Sequence, residues 1–271
     1  MSADLSTLDA EFENVTVTPD DGTDHVTTVT IDRPEARNAM NAQVRAELKT
    51  TFDAIDESDT RVVVLTGSDE ASAFVAGADV TELHERTALE QREVSKRPRV
   101  YEYVSECRVP VIARINGHAL GGGCELAMAA DVRIASERAK LGLPEITLGL
   151  FPGGGGTQRL PRLVGQGKAM QLILSGDLID AEEAHEIGLV DELATAEELD
   201  DAVENLANSI ASNSPIALEF AKRAVRASGS MGLDNGIEYE AELFAQVLAT
   251  DDVDEGISAF LEDRDPEWKG K

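Results

Sequence analysis

The chain has 271 residues and only two cysteines, Cys107 and Cys124. Two are too few for a disulfide framework, and they lack the paired spacing of a zinc site. The four histidines, His25, His84, His118 and His185, are scattered, with no H-E-x-x-H and no cysteine cluster, so no metal site is expected. No apolar run reaches the ~18 residues that point to a membrane span. The best stretch, 109–130, is interrupted by Arg114, Asn116 and Glu125. The opening "MSADLSTLDAEFEN" lacks the basic and apolar regions of a signal peptide, and the chain reads as cytoplasmic. Basic charge is scarce too: 24 Lys and Arg stand against 52 Asp and Glu, a net of −28. Such a surface repels a nucleic-acid backbone.

What is present is enough apolar material for a core, 42% of the residues. The acids are interspersed with apolar periodicity rather than run together, which argues for a folded, acid-coated surface over disorder. At about 1 M salt the Debye length is roughly 3 Å, so like charges that strain a fold in dilute buffer are tolerated. The composition reads as that of a protein adapted to a salt-rich cytosol.

Periodicity supplies a coarse map. "HVTTVTID" (25–32) is a β-branched strand, with "FENVTVTPD" before it as a hairpin partner. Residues 41–58 place Val44, Leu48, Phe52 and Ile55 at helical spacing behind an Asn cap. "RVVVLTG" (61–67), "VPVIARIN" (109–116) and "DVRIAS" (131–136) are further strands, and the charged stretch 80–107 is helical. Residues 140–165 are irregular and Gly/Pro-rich before a short helix. From about 167 the pattern is helical apart from one strand, "GLVDEL" (188–193), with amphipathic helices at 195–212, 215–228, 235–249 and 252–262. Strands alternating with helices and then a helical tail imply an α/β core with a C-terminal helical part, the break falling between 195 and 213.

The stretch "NGHALGGGCELAMAAD" (116–131) sets three glycines directly before good helix formers. The first N–H groups of a helix have no intrahelical partner, and glycine lets a ligand approach them. A phosphate or an oxygen gaining negative charge suits such a turn. The phosphate motifs are missing: there is no G-x-x-x-x-G-K-[ST] and no G-x-G-x-x-G opening an early βαβ unit. Taken alone, Gly121–Gly123 serve tight strand–helix packing equally well. Their company favours chemistry. "FVAGAD" (74–79) is a second small-residue turn able to offer an N–H, and Glu145 lies in an apolar, proline-framed stretch. Two turns donating to one oxyanion, with two carboxylates for proton transfer, make an enzyme site.

"FVAGADVTEL", "NGHALGGGCELAMAADVRIAS" and "LGLPEITLGLFPGGGGTQRLPRLVG", in this order and spacing, resemble the enoyl-CoA hydratase/isomerase (crotonase) family. The likeness runs from "IDRPEARNAMN" to "FLEDRDPEWKG", nearly the whole chain. It implies an α/β crotonase-like spiral of ββα units, with an acyl-CoA core over 1–200 and a helical trimerisation region over 201–271. It also implies homotrimers, or homohexamers built as dimers of trimers. No separate cofactor is implied, because the substrate itself carries coenzyme A.

By the same resemblance the Ala78 and Gly122 N–H groups form an oxyanion hole for a thioester carbonyl. Glu125 and Glu145 are the acid–base pair, the Gly153 N–H holds the attacking water, and substrate lies along Ala36, Arg37, Ala76, Gly77 and Asp79. Asp79 turns or caps its loop rather than reacting, and Arg37 is either a CoA-phosphate contact or an ordinary exposed arginine. Glutamate at both positions favours hydration of a trans-2-enoyl-CoA over isomerisation or another acyl-CoA reaction. A non-catalytic acyl-CoA-binding protein has no need of two costly acids in an apolar pocket. The "PGGGG" loop departs from the family's more usual alanine-containing form, and "EDRDPEWKGK" carries fewer basic residues than many relatives. Four other residues are read as structural: His118 as a packed or partly exposed side chain, Cys124 as a buried thiol, and Trp268 with Phe260 as packing for a terminal helix.

Overall fold

The β-branched run Val26–Ile31 is a strand in the computed structural model, which describes Leu5, Leu8 and residues 12–271. The acidic opening stretch therefore lies mostly outside the described residues. Among the described residues ten strands form: β1 (Val15–Thr18), β2 (Val26–Ile31), β3 (Val62–Gly67), β4 (Ala73–Val75), β5 (Val111–Ile115), β6 (His118–Leu120), β7 (Val132–Ser136), β8 (Lys140–Gly142), β9 (Leu178–Asp180) and β10 (Glu192–Ala194). The larger sheet runs β1-β2-β3-β5-β7-β10 and the smaller β4-β6-β8-β9. Only β1/β2 and β8/β9 are antiparallel; the other pairs are parallel.

A central parallel strand is covered on both faces and reads as a continuous apolar run. All six residues of β3 are buried. Successive side chains alternate between faces. Val63 and Leu65 join the main core with Val44, Leu48, Phe52 and Ile55 of helix α1 (Ala42–Asp56), which the Asn41 side chain caps at the Val44 N–H, 2.8 Å. Val62 and Val64 face the second core instead, with Val26, Ile112 and Ile134.

The charged stretch 80–107, expected as helical throughout, is three short helices: α2 (Val80–Glu85), α3 (Ala88–Val94) and α4 (Val100–Glu106). The breaks follow local chemistry. Asp79 and Thr87 each cap a fresh helix start, Thr87 in a reciprocal box with Glu90, and Pro98 cannot continue α3 into α4. Next come α5 (Gly122–Ala127), α6 (Gly156–Val164), α7 (Gln166–Ser175) and α8 (Ala181–Glu186).

The strand expected at 188–193 lies instead at Glu192–Ala194. Leu189 and Val190 are spent on the end of α8, where both N–H groups turn back to Ala184 O after Gly188 at φ +79°. Strand β9 was not anticipated, since three residues carry too little alternation to read.

Four helices complete the chain: α9 (Leu199–Ala211), α10 (Pro215–Ala227), α11 (Leu233–Val247) and α12 (Asp251–Glu262). Leu199, Val203, Ala207 and Ala211 of α9 pack in the second core, so the division drawn at 200/201 falls inside a helix that covers the larger sheet. Helix α10 buries no residue fully and is tied to the body by charge. Lys222 and Arg226 both pair with Asp131, at 2.8 and 2.7 Å. Trp268 packs as expected, its ring against Gly256 of α12 and its N–H on Ser212 O at 2.6 Å. Phe260 does not: it is 85% exposed, because it lies on the outer face of α12.

Candidate active site

The three glycines expected to precede a helix instead open it, Gly121 as the cap and Gly122 and Gly123 as the first residues of α5, and they do three different things. Gly121 sits at φ +50° and ψ −122°, a conformation that side chains rarely adopt, with its N–H bound to Gly142 O of β8 at 2.9 Å. Gly123 is a packing residue, since a Cβ there would lie 1.9 Å from Val75 O of β4. Gly122 is the one that faces the site. A Cβ on it would meet the Tyr101 hydroxyl at 3.0 Å, Met40 Cε at 3.2 Å and the Ala78 nitrogen at 3.3 Å.

Ala78 is brought there by main-chain bonds between two loops. Ala76 N–H donates to Arg37 O, Met40 N–H to Gly77 O and Asp79 N–H to Met40 O, at 2.8–3.1 Å. That pattern uses the neighbours of Ala78 and spares its own N–H. Among the described residues neither the Ala78 nor the Gly122 N–H donates to a main-chain or side-chain acceptor. Two unengaged N–H donors thus lie close together, an arrangement that suits an oxygen gaining negative charge.

Glu125, one turn into α5, is 2% exposed. Its Oε1 accepts from Gly154 N–H and Gly156 N–H, each at 2.7 Å. Burial pushes its pKa above the ordinary carboxylate value, against the pull of those two N–H groups and of Arg99 and Arg159. Glu145 enters from a 3-10 turn, Pro144–Leu148, and its Oε1 would stand 3.1 Å from a Cβ on Gly121. Burial first, and then the charge of Glu125, push the Glu145 carboxyl up to about 7. Its Oε2 is buried with no hydrogen-bond partner among the described residues. So the carboxylate form of Glu125 has N–H donors and nearby cations, while Glu145 has an unanswered oxygen and keeps its proton to higher pH. Two carboxyl groups in different surroundings thus lie close to the two N–H groups, an arrangement able to move protons.

The family model described as Enoyl-CoA hydratase/isomerase matches residues 21–271. The chain belongs to this family. It is 42% identical over 241 residues to the short-chain-enoyl-CoA hydratase of Clostridium acetobutylicum, covering 88% of this chain and 92% of that one. It is also 42% identical over 243 residues to the 2,3-dehydroadipyl-CoA hydratase of Escherichia coli, covering 90% of this chain and 94% of the relative. The crystal structure of enoyl-CoA hydratase from Bacillus anthracis superposes with a TM-score of 0.90 at 41% identity, spanning 96% of this chain and all of the other. The fold is therefore the α/β crotonase fold, two mixed sheets and C-terminal helices.

Within that fold the other residues singled out by sequence fall into two groups. Ala76, Gly77 and Arg37 belong to the zipped loops that carry Ala78; Arg37 is exposed, at φ +50°, with Ala36 beside it in a short 3-10 turn. Asp79 caps α2 through the Thr81 N–H at 3.1 Å and pairs with Arg33 at 3.4 Å. Gly153 faces open space on its Cβ side. His118 is structural, its Nδ1 accepting from Lys140 N–H at 3.2 Å. Burial pushes the Cys124 thiol up to about 12, which keeps it protonated and inert.

Sequence reasoning missed the partners of Glu125. The N–H groups that grip it come from Gly154 and Gly156, and the ring of Tyr101 closes the same space: a Cβ on Gly154 would lie 2.3 Å from that ring and 2.4 Å from Glu125 Oε2. Arg99 and Arg159 take the loop's carbonyls, Gly153 O at 2.8 Å and Gly154 O at 3.0 Å. The signal was present in "PGGGG": four consecutive glycines tolerate contacts on every side, but nothing local says with what.

Proposed function

We propose that the chain is an enoyl-CoA hydratase, adding water across the C2–C3 double bond of a trans-2-enoyl-CoA to give the 3-hydroxyacyl-CoA. The observation that carries this reading is the pair Glu125 and Glu145, both raised and oppositely solvated, beside two free N–H donors. The thioester oxygen sits between the Ala78 and Gly122 N–H groups, which stabilise the enolate that forms. One such donor is worth ~2.7–4 kcal/mol in an acyl-type site. The water oxygen bonds to C3 and gives its proton to the Glu125 carboxylate, with the Gly153 N–H helping to hold the water. The electron pair of the double bond moves toward the carbonyl, and protonated Glu145 delivers its proton to C2. Both additions come from one face, so the addition is syn. Glu125 ends protonated and Glu145 ionised, and exchange with solvent restores the pair. The CoA moiety runs over Ala36, Arg37, Ala76, Gly77 and Asp79.

The apolar side chains that the protomer leaves exposed, among them Phe151, Phe244, Phe260 and Leu261 at 63–85%, support assembly into a trimer or a pair of trimers. The acid-coated surface supports work in a salt-rich cytoplasm. The deciding assay is a panel of C4 to C16 trans-2-enoyl-CoAs in molar KCl, with the 3-hydroxyacyl product identified by mass. Failure to hydrate any of them would sink the reading.

A second reading, double-bond isomerisation, draws on Glu145 alone, since a half-buried acid near neutrality with a free oxygen can shuttle a proton unaided. The two readings separate on Glu125→Gln. It abolishes hydration under the first and spares migration of a 3-enoyl-CoA under the second.

A further inference from the structure

Glycine on both sides of a peptide leaves it free to rotate, and the peptide joining Gly153 to Gly154 has no side chain to resist a flip. Its two ends have different partners. The N–H, on Gly154, points to Glu125 Oε1 at 2.7 Å, and the carbonyl, on Gly153, accepts from Arg99 Nη1 at 2.8 Å. A flip would turn the N–H away and present a carbonyl oxygen to a carboxylate.

The second grip on Glu125 has a support of another kind. The peptide that carries the Gly156 N–H offers its carbonyl, Gly155 O, to the Gln158 and Arg159 N–H groups at 2.9 and 2.8 Å. Formation of α6 therefore fixes it. The peptide in between is held by Arg159 Nη1 on Gly154 O, again from α6. Only the first peptide depends on a side chain from elsewhere in the fold.

That side chain is itself held firmly. Arg99 opens α4, and its Nε and Nη2 form a two-pronged pair with Glu102 at 2.9 Å on each prong. The Arg99 N–H also donates to Glu102 Oε2 at 2.9 Å, and the guanidinium stands 5.6 Å from the centre of the Tyr101 ring. Glu102 is 3% exposed, with Arg97 and Arg159 each 3.7 Å from its Oε1. A planar fork can serve a carboxylate with two nitrogens and a carbonyl with the third, which an ammonium cannot do at once.

We propose that Arg99 is a positioning residue for Glu125: it fixes the Gly153–Gly154 peptide so that two N–H donors converge on one carboxylate oxygen, and Glu102 holds the guanidinium in place. The proposal rests on the reading of Glu125 as the group that takes the proton from water. The groups facing Glu125 are Arg99 and Tyr101 from α4, Glu145 from the 3-10 turn, Arg159 from α6 and Cys124 beside it in α5. Burial keeps Tyr101 and Cys124 neutral, so Arg99, Arg159 and Glu145 are the charges that act on it.

The test titrates Glu125 directly in the full chain in molar KCl, by carbon NMR of carboxyl-labelled glutamate, with Glu125→Gln identifying the resonance. Arg99→Met should raise the titration midpoint by about one pH unit or more and cut kcat for crotonyl-CoA roughly 10- to 100-fold, with KM within about threefold. Loss of a donor and loss of a cation both act in that direction, and Glu102→Gln separates them. If only charge mattered, removing the Glu102 anion would lower the Glu125 midpoint. Releasing Arg99 from the carbonyl raises it instead, which is the expected result. Arg99→Lys, which keeps the charge without the fork, should also titrate high, and it serves if either other variant fails to fold. An unmoved midpoint in Arg99→Met, a fall in Glu102→Gln, or wild-type titration in Arg99→Lys would each overturn the proposal. The titration needs no turnover, so a wild type that fails to hydrate would sink the hydratase reading while leaving this result to be judged separately.

Discussion

Glu145 stores a pH-dependent instability that one substitution should release. Its carboxyl ordinarily titrates near 4.5 and is pushed to about 7 here, by burial first and then by the charge of Glu125. An acid raised in the folded state binds more protons folded than unfolded across that interval. The stability this gives is full below about 4.5 and is lost as pH climbs through 7. A shift of that size at full burial corresponds to ~3 kcal/mol. The residue is half-buried, and solvent screening brings the figure to about 1–2 kcal/mol.

Glu145→Gln keeps the shape and never ionises, so the variant escapes the loss. Wild type and variant should melt close together at pH 5. At pH 8.5 the variant should be the more stable by about 1–2 kcal/mol, roughly 2–6 °C in Tm. Both proteins are compared at one protomer concentration and in molar KCl, because assembly and screening shift Tm on their own. The same variant should lose hydration, an exchange of activity for stability. A Tm gap that stays constant from pH 5 to 8.5, or a variant less stable at the alkaline end, would refute the argument.

Gly122→Pro removes one of the two N–H donors, and hydration of crotonyl-CoA should fall ~100-fold or more, with circular dichroism confirming the fold. Melting temperature and activity should both rise between about 0.1 and 2 M KCl, since −28 on each chain repels itself when screening is weak; a flat melting curve across that range would remove the salt-adaptation reading. Phe260→Asp, on a side chain 85% exposed in the protomer, should leave the fold intact and shift sedimentation toward smaller species. Unchanged sedimentation would show that this face of α12 is not an interface.

Local pattern carried far where an element is long or its chemistry self-contained. The β-branched run of β2, the Asn41 cap and 3.6-residue stripe of α1, and the continuous apolar run of β3 could each be read without the rest of the chain. The helical tail was legible for the same reason, although α9, read as its beginning, turns out to cover the larger sheet. The three-residue strands β4, β6, β8 and β9 form because each finds a neighbour in the smaller sheet, which no three residues announce.

The site divides along the same line. A sequence alone shows that Gly121–Gly123 mark a helix start, that Glu125 falls in its first turn and that Glu145 sits in an apolar frame. Which glycine does what depended on atoms far along the chain: Val75 O against Gly123, the Ala78 nitrogen beside Gly122, Glu145 over Gly121. The two acids differ for a reason no residue type encodes. One oxygen of Glu125 meets two N–H groups from a loop 29 and 31 positions away, while Glu145 Oε2 meets none. Residue identity determined that two carboxylates were available. Only the packing of α4, α5, α6 and the glycine loop decided which of them is solvated by the protein and which is left to hold its proton.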